Sequence, residues 1–509
     1  MISKLNFGFS KCKIMTMCES MMKDDFSRAT KGVMMNTDIS RRGFLRGGVL
    51  AGAAVPMVAV EGASVQPAGL SIAEAGEYDL VVAGGSCTGV FAALRAAEAG
   101  LRVALLEMAG GFGGTATQGL VPIWHSRYSA DGKRKIIAGL TERMINELIA
   151  RGEARLMGRK ENPAADAVLN VAGLQISLDE WVLAAKTVTP FLHTRLAAVE
   201  CEAHGKVKSV IVADKAGLRR LRAKFFIDAT GDADLCRFAG LDVWRLSKDQ
   251  LQTHTCCAIL SGVPALHKQY PKFSFGEVMK PAYGAGLNHR FGWSAAVVGA
   301  PDIQFHAYTR VANCDPSDPA DLTRGEIEGR AQMRRYIDAA NRAFPMPQGQ
   351  RLALVSLAAH LGLRESCHIE SLYRMTADDI LQGRTFDDVI ARGSYRVDIH
   401  EGGGITFKYL DGRMDGFEVV KGKVVSFRGR RWRPKTETNP TWYEIPYRSI
   451  VPRGAKNVLA PGRALDCTRE AFGACRVMVN CNQMGEAAGR AAAKAIRENL
   501  DAAQAYAGL

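Results

Sequence analysis

The alternation of apolar and polar residues predicts a strand, a turn, a helix and a second strand near residue 80. The segment "YDLVVA" (78–83) is almost continuously apolar, as in a strand that is buried on both faces. The segment "VFAALRAAEAG" (90–100) is rich in helix formers and ends on glycine. "LRVALLE" then predicts a second short strand that ends at Glu107. This order within about 30 residues is typical of a dinucleotide-binding unit.

Similar patterns recur farther along the chain. One strand is predicted to end at Asp228, and a short strand to stop at Gly462. A long C-terminal helix is predicted to open near Gly485, in "CNQMGEAAGRAAAKAIREN". Residues 406–432 alternate in polarity and contain an Asp-Gly pair, so they are predicted to form hairpin strands.

Three further segments have helical patterns. Residues 139–154 and 179–188 are predicted to be helices. The segment from Thr323 to Ala343 is strongly amphipathic, and Thr323 with Glu326 three residues later predicts a capping box at its start.

Composition narrows the possible functions. The 509 residues are 47% hydrophobic and 23% charged, which are ordinary values for a globular protein. The net charge is +14, but part of this excess lies in the first 60 residues, and the basic cluster at 428–435 is typical of a solvated surface. We therefore expect no nucleic-acid partner. None of the 12 cysteines forms a Cys-x-x-Cys pair, so zinc and thioredoxin-type sites have no support and no metal is expected.

The N-terminal segment predicts export. "SRRGFLRGGVLAGAAVPMVAV" begins at Ser40 and combines a twin arginine with a short run of small and apolar residues. That run is too short and too rich in glycine for a membrane span. Translation from Met34 or Met35 would shorten the unusually long lead-in. We expect a periplasmic or otherwise exported protein, with the twin-arginine translocation machinery as a partner.

The glycine turn "GGSCTG" (84–89) is the first candidate site. Gly84 is expected to make the tight turn, and Gly89 to let the helix pack closely on the strand. Ser86 replaces the middle glycine of the fingerprint, and its hydroxyl offers a donor to a phosphate. Glu107 is spaced to bind a ribose hydroxyl, and the open helix N-terminus to bind a pyrophosphate.

Several ordered motifs resemble one family. These are the loop "GGTATQGL" from Gly113, the strand "IDATGDAD" from Ile227, and a C-terminal part from "GR" at Gly462 to "MGEAAG" at Met484. At these residues the chain resembles the FAD-dependent oxidoreductases of the two-dinucleotide-binding-domain flavoprotein class, and in particular a bacterial group with these motifs. The resemblance covers about residues 77–500. The chain departs from it at Ser86, at "HTCCAIL" (254–260) and at three cysteines: Cys467, Cys475 and Cys481.

The resemblance implies FAD as the cofactor and assigns residues to its parts. The pyrophosphate would be held by the first glycine turn, the ribose by Glu107, and the adenine by the strand around Val199. The loop after Glu107 would wrap the cofactor, the turn after Asp228 would close over the phosphates, and the positive end of the helix near Gly485 would face the flavin ring. The implied cofactor-binding residues are Gly84, Gly85, Ser86, Gly89, Glu107, Gly113, Gly114, Thr115, Val199, Asp228, Gly231, Asp232, Gly462, Arg463 and Gly485.

The expected fold is α/β: a Rossmann-like FAD-binding domain with a parallel sheet and helices, interrupted by a second, mixed α+β substrate domain. The second domain would cover the flavin, and the substrate would bind between the two. The predicted boundaries are a leader and linker at 1–76, the first part of the FAD-binding domain at 77–245 with a helical excursion at 126–184, the substrate domain at 246–444, and the rest of the FAD-binding domain at 445–509.

Four residues are candidates for catalysis. His360 lies in "AAHLGLRES", which the resemblance brings close to the flavin, and Arg364 follows as an anchor for substrate or flavin, paired with Glu365. His125, just beyond the glycine loop, is a second candidate base, and His254 a third. A structural role is the alternative for each of them.

The function expected from this set is an exported FAD-dependent oxidoreductase. It would transfer a hydride from a small polar substrate, at an alcohol, an amine or a C–C bond, to the flavin. The alternatives are an FAD-dependent hydratase or isomerase without net redox chemistry, and a non-catalytic flavin-binding protein. The electron acceptor is open between oxygen, a quinone and a partner cytochrome.

Overall fold

The computed structural model describes residues 71–159, 162–276, 292–347, 349–401, 403–420 and 423–508. The described residues belong to one compact unit. The predicted twin-arginine segment at 40–60 lies outside the described residues. In the described part of the chain, no helix is long and apolar enough to cross a membrane.

The secondary structure elements are numbered along the chain. The helices are α1 (Cys87–Glu98), α2 (Gly139–Ala150), α3 (Val171–Ala184), α4 (Asp234–Phe238), α5 (Val263–Gln269), α6 (Pro319–Ala343), α7 (Ala377–Leu381), α8 (Arg469–Cys475) and α9 (Met478–Glu498). The strands are β1 (Ala73–Ala83), β2 (Val103–Leu106), β3 (Ile123–Trp124), β4 (Ala154–Arg159), β5 (Asn162–Leu169), β6 (Val188–Phe191), β7 (Arg195–Ala203), β8 (Lys206–Asp214), β9 (Gly217–Asp228), β10 (Val243–Trp244), β11 (Ala258–Ser261), β12 (Trp293–Val297), β13 (Ala300–Ala307), β14 (Ala353–Leu357), β15 (His368–Ile369), β16 (Val389–Gly393), β17 (Val397–Glu401), β18 (Gly404–Lys408), β19 (Arg413–Val420), β20 (Lys423–Arg431), β21 (Tyr443–Pro446) and β22 (Val458–Leu459).

A seven-stranded mixed sheet forms the centre of the fold. Its order is β6-β2-β1-β9-β8-β7, and β22 pairs with the carboxyl-terminal end of β9. β6, β2, β1, β9 and β22 run parallel, whereas β8 and β7 are antiparallel additions. The expected parallel, Rossmann-like core is therefore present, with β22 arriving from the far end of the chain.

The apolar run of β1 is covered on both faces, as its composition predicts. Leu80 and Val82 belong to the cluster under α1 and α9, whereas Val81 and Ala83 belong to the cluster on the opposite face. All four side chains are at most 1% exposed. Alternate residues of one strand thus build two separate layers of core.

The helices α1 and α9 pack closely because glycines remove side chains from their contact. A Cβ at Gly485 would lie 2.2 Å from the carbonyl oxygen of Thr88, and a Cβ at Gly489 would lie 2.2 Å from that of Ala92. Beside this contact, Glu486 accepts hydrogen bonds from Arg95 at 2.6 and 2.9 Å and from the backbone N–H of Leu140 at 3.0 Å. The last long helix is thereby locked onto the first.

The insert has its own core. The antiparallel sheet β12-β13-β11-β14 packs against α6, with apolar side chains such as Met333 and Tyr336 between them. A second antiparallel sheet, β17-β18-β19-β20, contains the hairpins expected at 406–432. Residues Cys367 and Ile390, by contrast, lie in the two cores of the FAD-binding part. The insert predicted at 246–444 therefore returns to the main core well before residue 444.

Several predicted boundaries were wrong. α6 begins at Pro319 rather than Thr323, because Asp318 caps it by accepting from the N–H of Asp321 at 2.8 Å and proline is well suited to the first helical position. α9 begins at Met478, seven residues before Gly485, and the helix predicted at 179–188 is α3, which begins at Val171 and ends at Ala184. The excursion at 126–184 is not purely helical, since it contains β4 and β5.

Replacing Gly485 with alanine should destabilise the protein. The new methyl group would overlap the Thr88 carbonyl, so α1 and α9 would have to separate, and overpacking of this kind costs about 1–3 kcal/mol. Chemical denaturation would measure the change. Arg497→Ala, at the exposed end of the same helix, is the control and should stay within about 0.5 kcal/mol. Equal stability of Gly485→Ala and wild type would contradict this packing.

Candidate functional site

Four parallel strands end at one edge of the central sheet. Ala83, Leu106, Asp228 and Leu459 are the last residues of β1, β2, β9 and β22. β1 lies between β2 and β9. The strands that follow β1 in the chain are therefore placed on both of its sides, and the strand order reverses at β1. A crevice for a ligand forms at such a point in an open α/β sheet.

The glycines of the first turn are required by close backbone contacts. Gly84 has a φ of 107°, and a Cβ there would lie 2.3 Å from the carbonyl oxygen of Ala229, in the turn after β9. A Cβ at Gly89 would lie 1.9 Å from the carbonyl oxygen of Gly84, and one at Gly85 would lie 2.6 Å from the ring of Phe112. The turn after β1 therefore packs tightly against the turn after β9 and against the ring of Phe112.

Ser86 occupies the N-cap of α1 but does not cap it. Its side chain makes no hydrogen bond to the first turn of the helix, so the N–H groups there and the hydroxyl remain available. Gly113, at a φ of 109°, forms a β-bridge with Ser86, and a Cβ at Gly114 would lie 2.9 Å from that of Ser86. The carbonyl oxygen of Thr115 accepts from Val121 at 3.1 Å and closes this loop. A helix N-terminus with available N–H groups beside such a loop is suited to bind an anion.

Glu107 is a buried carboxylate at the end of β2. It accepts from the backbone N–H groups of Gly85 at 2.9 Å and Ala109 at 2.7 Å. Burial raises the pKa of Glu107, and these two N–H groups together with the nearby His360 offset only part of that effect. The carboxylate is therefore held in place beside the first turn, where a ribose hydroxyl would meet it.

Asp228 organises its own turn. Its carboxylate is fully buried and accepts from the Thr230 side chain at 2.6 Å and from the N–H groups of Thr230 and Cys236 at 3.1 and 3.0 Å. Burial raises the pKa of Asp228, while the bonds from Thr230 and Cys236 work against this. The side chain thus shapes the turn that was expected to close over the phosphates, and the backbone of that turn faces the site.

Arg463 joins three segments of the chain. It donates to Asp232 at 2.8 Å and to the hydroxyl of Ser366 at 2.9 Å, and Ser366 also hydrogen-bonds Asp232. Its guanidinium lies over Gly231, since a Cβ there would be 2.9 Å from Nη2. Gly462 has a φ of 96° and approaches the side chain of Thr88 in α1. The turn after β22 therefore completes the crevice beside the first turn.

These residues fit FAD. The open N-terminus of α1 with the Ser86 hydroxyl suits a pyrophosphate, and the buried Glu107 suits a ribose. Gly84 and Gly114 leave no room for side chains where a cofactor would approach. Arg463 and the turn at Gly231–Asp232 would border the chain that leads to the flavin.

One of the implied contacts lies elsewhere. Gly485 is two turns inside α9 and contacts Thr88, so it is a packing residue and not the positive end of the helix; that end is at Met478. Val199 pairs with Val210 in the middle of β7, and its role at the adenine stays a prediction. His193 and Thr194, by contrast, hydrogen-bond the backbone of Ala109 and Glu107 at 3.1 and 2.9 Å.

On the side of the insert, His254 positions Arg364. The N–H of Arg364 donates to Nδ1 of His254 at 3.2 Å, so Nε2–H donates to the carbonyl oxygen of Cys314 at 3.0 Å. Burial, together with the charges of Arg364 and Arg463, lowers the pKa of His254 to about 4. Both ring nitrogens are occupied and the ring is neutral, so His254 is a positioning residue rather than a base.

The expected pair between Arg364 and Glu365 was wrong. The Arg364 guanidinium donates to the carbonyl oxygen of Thr253 and, at 2.8 Å, to the hydroxyl of Thr255. Glu365 instead accepts from the N–H of Gln252 at 3.0 Å and lies 3.5 Å from Nε2 of His368. Adjacent side chains on this extended segment point to opposite sides, which separates the two charges.

Asp398 is the centre of a buried polar network. It accepts from the hydroxyl of Tyr395 at 2.9 Å and contacts Nε2 of His400 at 2.9 Å, while Arg476 donates to its backbone carbonyl at 2.9 Å. Burial alone would raise the pKa of Asp398, but His400 and Arg476 hold it well below its ordinary range. Burial lowers the pKa of His400, so this ring is neutral.

His125 has the geometry of a base held by a carboxylate. Its Nδ1 lies 3.5 Å from Asp166, and its ring lies 5.2 Å from that of Tyr395. Burial would raise the pKa of Asp166, but the interaction with His125 and the N–H of Ser126 lower it overall. The imidazole keeps 29% of its surface exposed, so it is accessible to a substrate.

His360 lies toward Glu107 and not in this network. Its Nδ1 is 3.2 Å from the carbonyl oxygen of Leu361, and its charge acts on Glu107. The neighbouring Ala359 N–H donates to Gln118 of the glycine loop at 2.8 Å. The structure therefore brings His360 to the ribose end of the crevice, whereas Arg364 and His125 belong to its other end.

Sequence patterns missed several residues of this site. Asp166 and Gln252 come from segments without a known motif, and only their proximity in the fold gives them a role. Arg310 also lies here, fully buried, and donates to the hydroxyl of Thr255 at 3.1 Å. A charged residue in a mostly apolar segment is a weak signal that could have identified Arg310.

Comparison with models of known protein families finds a match to most of the chain. The sequence model of a family described as "FAD dependent oxidoreductase" matches residues 79–506. No curated protein matches the chain.

Several solved structures are similar to the chain at low identity. A geranylgeranyl bacteriochlorophyll reductase-like protein from Thermoplasma acidophilum is 14% identical, with 83% of this chain and 79% of that chain covered and a TM-score of 0.41. PqsL, a probable FAD-dependent monooxygenase from Pseudomonas aeruginosa, is 13% identical, with 84% and 90% covered and a TM-score of 0.39. The myxobacterial chondrochloren halogenase CndH is 12% identical, with 84% and 77% covered and a TM-score of 0.41. These structures are too distant to identify a substrate.

Acidification below about pH 6.5 should destabilise the protein through its buried histidines. Burial lowers the pKa of His254 to about 4 and that of His306 to about 3, whereas an unfolded histidine titrates near 6.5. Between those values the unfolded chain binds more protons, so the free energy of unfolding falls by at most about 1.4 kcal/mol per pH unit for each histidine. Denaturation between pH 7.5 and 5 at constant ionic strength measures the slope.

Variants assign this slope to the histidines. His306→Gln should make the slope shallower, because it removes one of the titrating groups. His204→Gln changes an exposed histidine and should leave the slope as it is. A stability that is constant from pH 7 to 5 would mean that these rings are protonated in the folded protein.

Proposed function

The chain belongs to the FAD dependent oxidoreductase family, and on that premise we propose that it oxidises a small polar organic molecule by passing a hydride to FAD. The chain is thus an FAD-dependent enzyme, and the substrate type is our proposal. The observation that carries it is the His125–Asp166 pair, which lies next to the buried network of Asp398 and Arg364 at the end of the crevice opposite Glu107.

FAD, when bound, supplies the acceptor for two electrons and a proton as a hydride. The protein must then orient the substrate and remove the second proton. His125 would accept this proton from a hydroxyl or amino group, and Asp166 would hold the ring and stabilise its charged form. Arg364, fixed through its backbone by His254, would orient the substrate, while an acceptor outside the chain would take the electrons.

We assign the chain, within its family, to the bacterial group with the "GGTAT", "IDATGDAD" and "GR…RVM…MG-AAG" motifs. In support, these motifs fall on the loop beside Ser86, on the end of β9, on the turn after β22 and on the part of α9 that packs against α1. Each motif thus coincides with a segment that lines or supports the crevice.

Anaerobic mixing with candidate substrates tests the hydride transfer. A panel of sugars, polyols, hydroxy acids and amines should contain a compound that bleaches the flavin absorbance. His125→Asn should slow this bleaching by about 10²–10⁴-fold with flavin content unchanged, because it removes the base. His204→Asn, at an exposed site, is the control. A panel without any bleaching compound would refute the redox function, and a full rate in His125→Asn would refute the base.

We also propose that the protein is exported in its folded form by the twin-arginine machinery. The proposal is based on Arg41 and Arg42 with the apolar run that follows them. Cell fractionation should find the wild type outside the cytoplasm and the double variant Arg41→Lys, Arg42→Lys inside it. Arg46→Lys is a control that changes a nearby basic residue and keeps the twin arginine. Equal distribution of all three proteins would rule out this route.

A further inference from the structure

Three arginines, the buried Arg310 and the half-buried Arg364 and Arg476, meet at the end of the crevice opposite Glu107 without enough negative charge to balance them. Arg310 and Arg476 lie close enough to Arg364 for their charges to interact with it, and Asp398 is the carboxylate that faces all three. The oxygens of Asp398 are engaged by Tyr395 and His400 at 2.9 Å, and its approach to Arg476 is 3.9 Å. The network is therefore rich in donors around a single acid.

Arg364 is the cation with the weakest compensation. Its hydrogen bonds go to the carbonyl oxygen of Thr253 and the hydroxyl of Thr255, both neutral, and both through Nη1. Among the described residues no carboxylate forms an ion pair with it. Burial and the two other arginines lower its pKa to about 9, so it stays charged at neutral pH. A buried cation in neutral surroundings is costly unless an anion joins it.

The side chain of Arg364 keeps part of its surface accessible although it lies deep in the protein. Since Nη1 makes both of its hydrogen bonds, Nε and Nη2 remain for a ligand, and two such N–H groups match the two oxygens of a carboxylate.

A buried amide whose NH2 group has no acceptor among the described residues lies beside these arginines. Gln252 is fully buried, and its Oε1 accepts from Arg476 at 3.0 Å and from the N–H of His400 at 3.2 Å. These bonds fix the orientation of the amide, so Nε2 carries the donors, and it has no acceptor among the described residues. The hydroxyl of Thr253, which is 2% exposed, is likewise without a partner there. Buried donors of this kind are normally satisfied, so these two groups are available to a ligand.

We propose that this network is the binding site for a carboxylate of the substrate, with Arg364 as the fork that pairs with it and Arg476 and Gln252 as further donors. The inference rests on the proposed function and narrows its substrates to small organic acids with an oxidisable C–H bond. Arg463 is not part of this site, because Asp232 already neutralises it at 2.8 Å. His125 would act on the part of the acid that reacts, next to the bound carboxylate.

Calorimetric titration of the FAD-loaded protein tests the site without any turnover. The probes are succinate and glycolate, their neutral amides, and inorganic phosphate. We expect the carboxylates to bind and the amides to bind at least tenfold more weakly. Arg364→Gln should weaken carboxylate binding by about 10–100-fold, the range for a charged hydrogen bond. Arg334→Gln, at an exposed arginine of α6, should leave it unchanged.

Two more variants guard against a loss of folding. Arg364→Lys keeps the charge but loses the fork, so it should bind carboxylates with an affinity between those of the wild type and Arg364→Gln. Gln252→Met removes the amide and should weaken binding less than Arg364→Gln does. Flavin content and thermal unfolding of each variant show that the fold is retained.

Three results would overturn the assignment. The network is not a carboxylate site if the amides bind as well as the acids, if the carboxylates fail to bind, or if no variant affects their binding. Tighter binding of inorganic phosphate would assign it to another anion. A changed midpoint potential of the flavin without a change in carboxylate binding would assign the arginines to the cofactor. Intact carboxylate binding in a protein that no acid reduces would refute the proposed function alone.

Discussion

The structure depends on the contact between the first turn of α1 and the segments that surround it. Gly84 lies against the Ala229 carbonyl, Gly89 against Gly84, and Gly485 against Thr88, each at a distance that no side chain could share. These contacts place the ends of β1, β9 and β22 and the helix α9 around a single point. Any cofactor held at the start of α1 is therefore bordered by residues from both ends of the chain, and the crevice exists only because the glycines let its walls meet.

Two regions of opposite electrostatic character extend from this point. On the ribose side, the buried Glu107 accepts from backbone N–H groups and His360 lies nearby. On the other side, Arg364 and Arg476 surround Asp398, and the neutral rings of His254 and His400 hold the network together. A long ligand would thus meet backbone donors and a carboxylate at one end and guanidinium groups at the other. The distribution of charge therefore determines which end of such a ligand binds at which end of the site.

The sequence predicted the elements that local chemistry determines. The apolar run of β1, the glycine turn, Glu107 at the end of β2 and the hairpins at 406–432 all have short-range signals, and the structure contains them. The start of α9 was misplaced because its glycines were taken as the opening of a helix, whereas they serve its packing on α1. The pairing of Asp166 with His125 could not be predicted, since it depends on β3 and β5 lying side by side. Side chains that meet only through tertiary structure produce no periodic pattern in the sequence.

The ion pair between Arg95 and Glu486 joins residues that are 391 positions apart. β22 likewise completes the sheet beside β9 only after more than two hundred intervening residues have been made. Folding must therefore close very long loops before α1 and α9 can form their stabilising contact. This requirement slows folding and leaves the edge of β9 unpaired until β22 arrives. During synthesis the crevice lacks one of its supports until α9 has been made, so a cofactor that needs all of the walls can be retained only after that point.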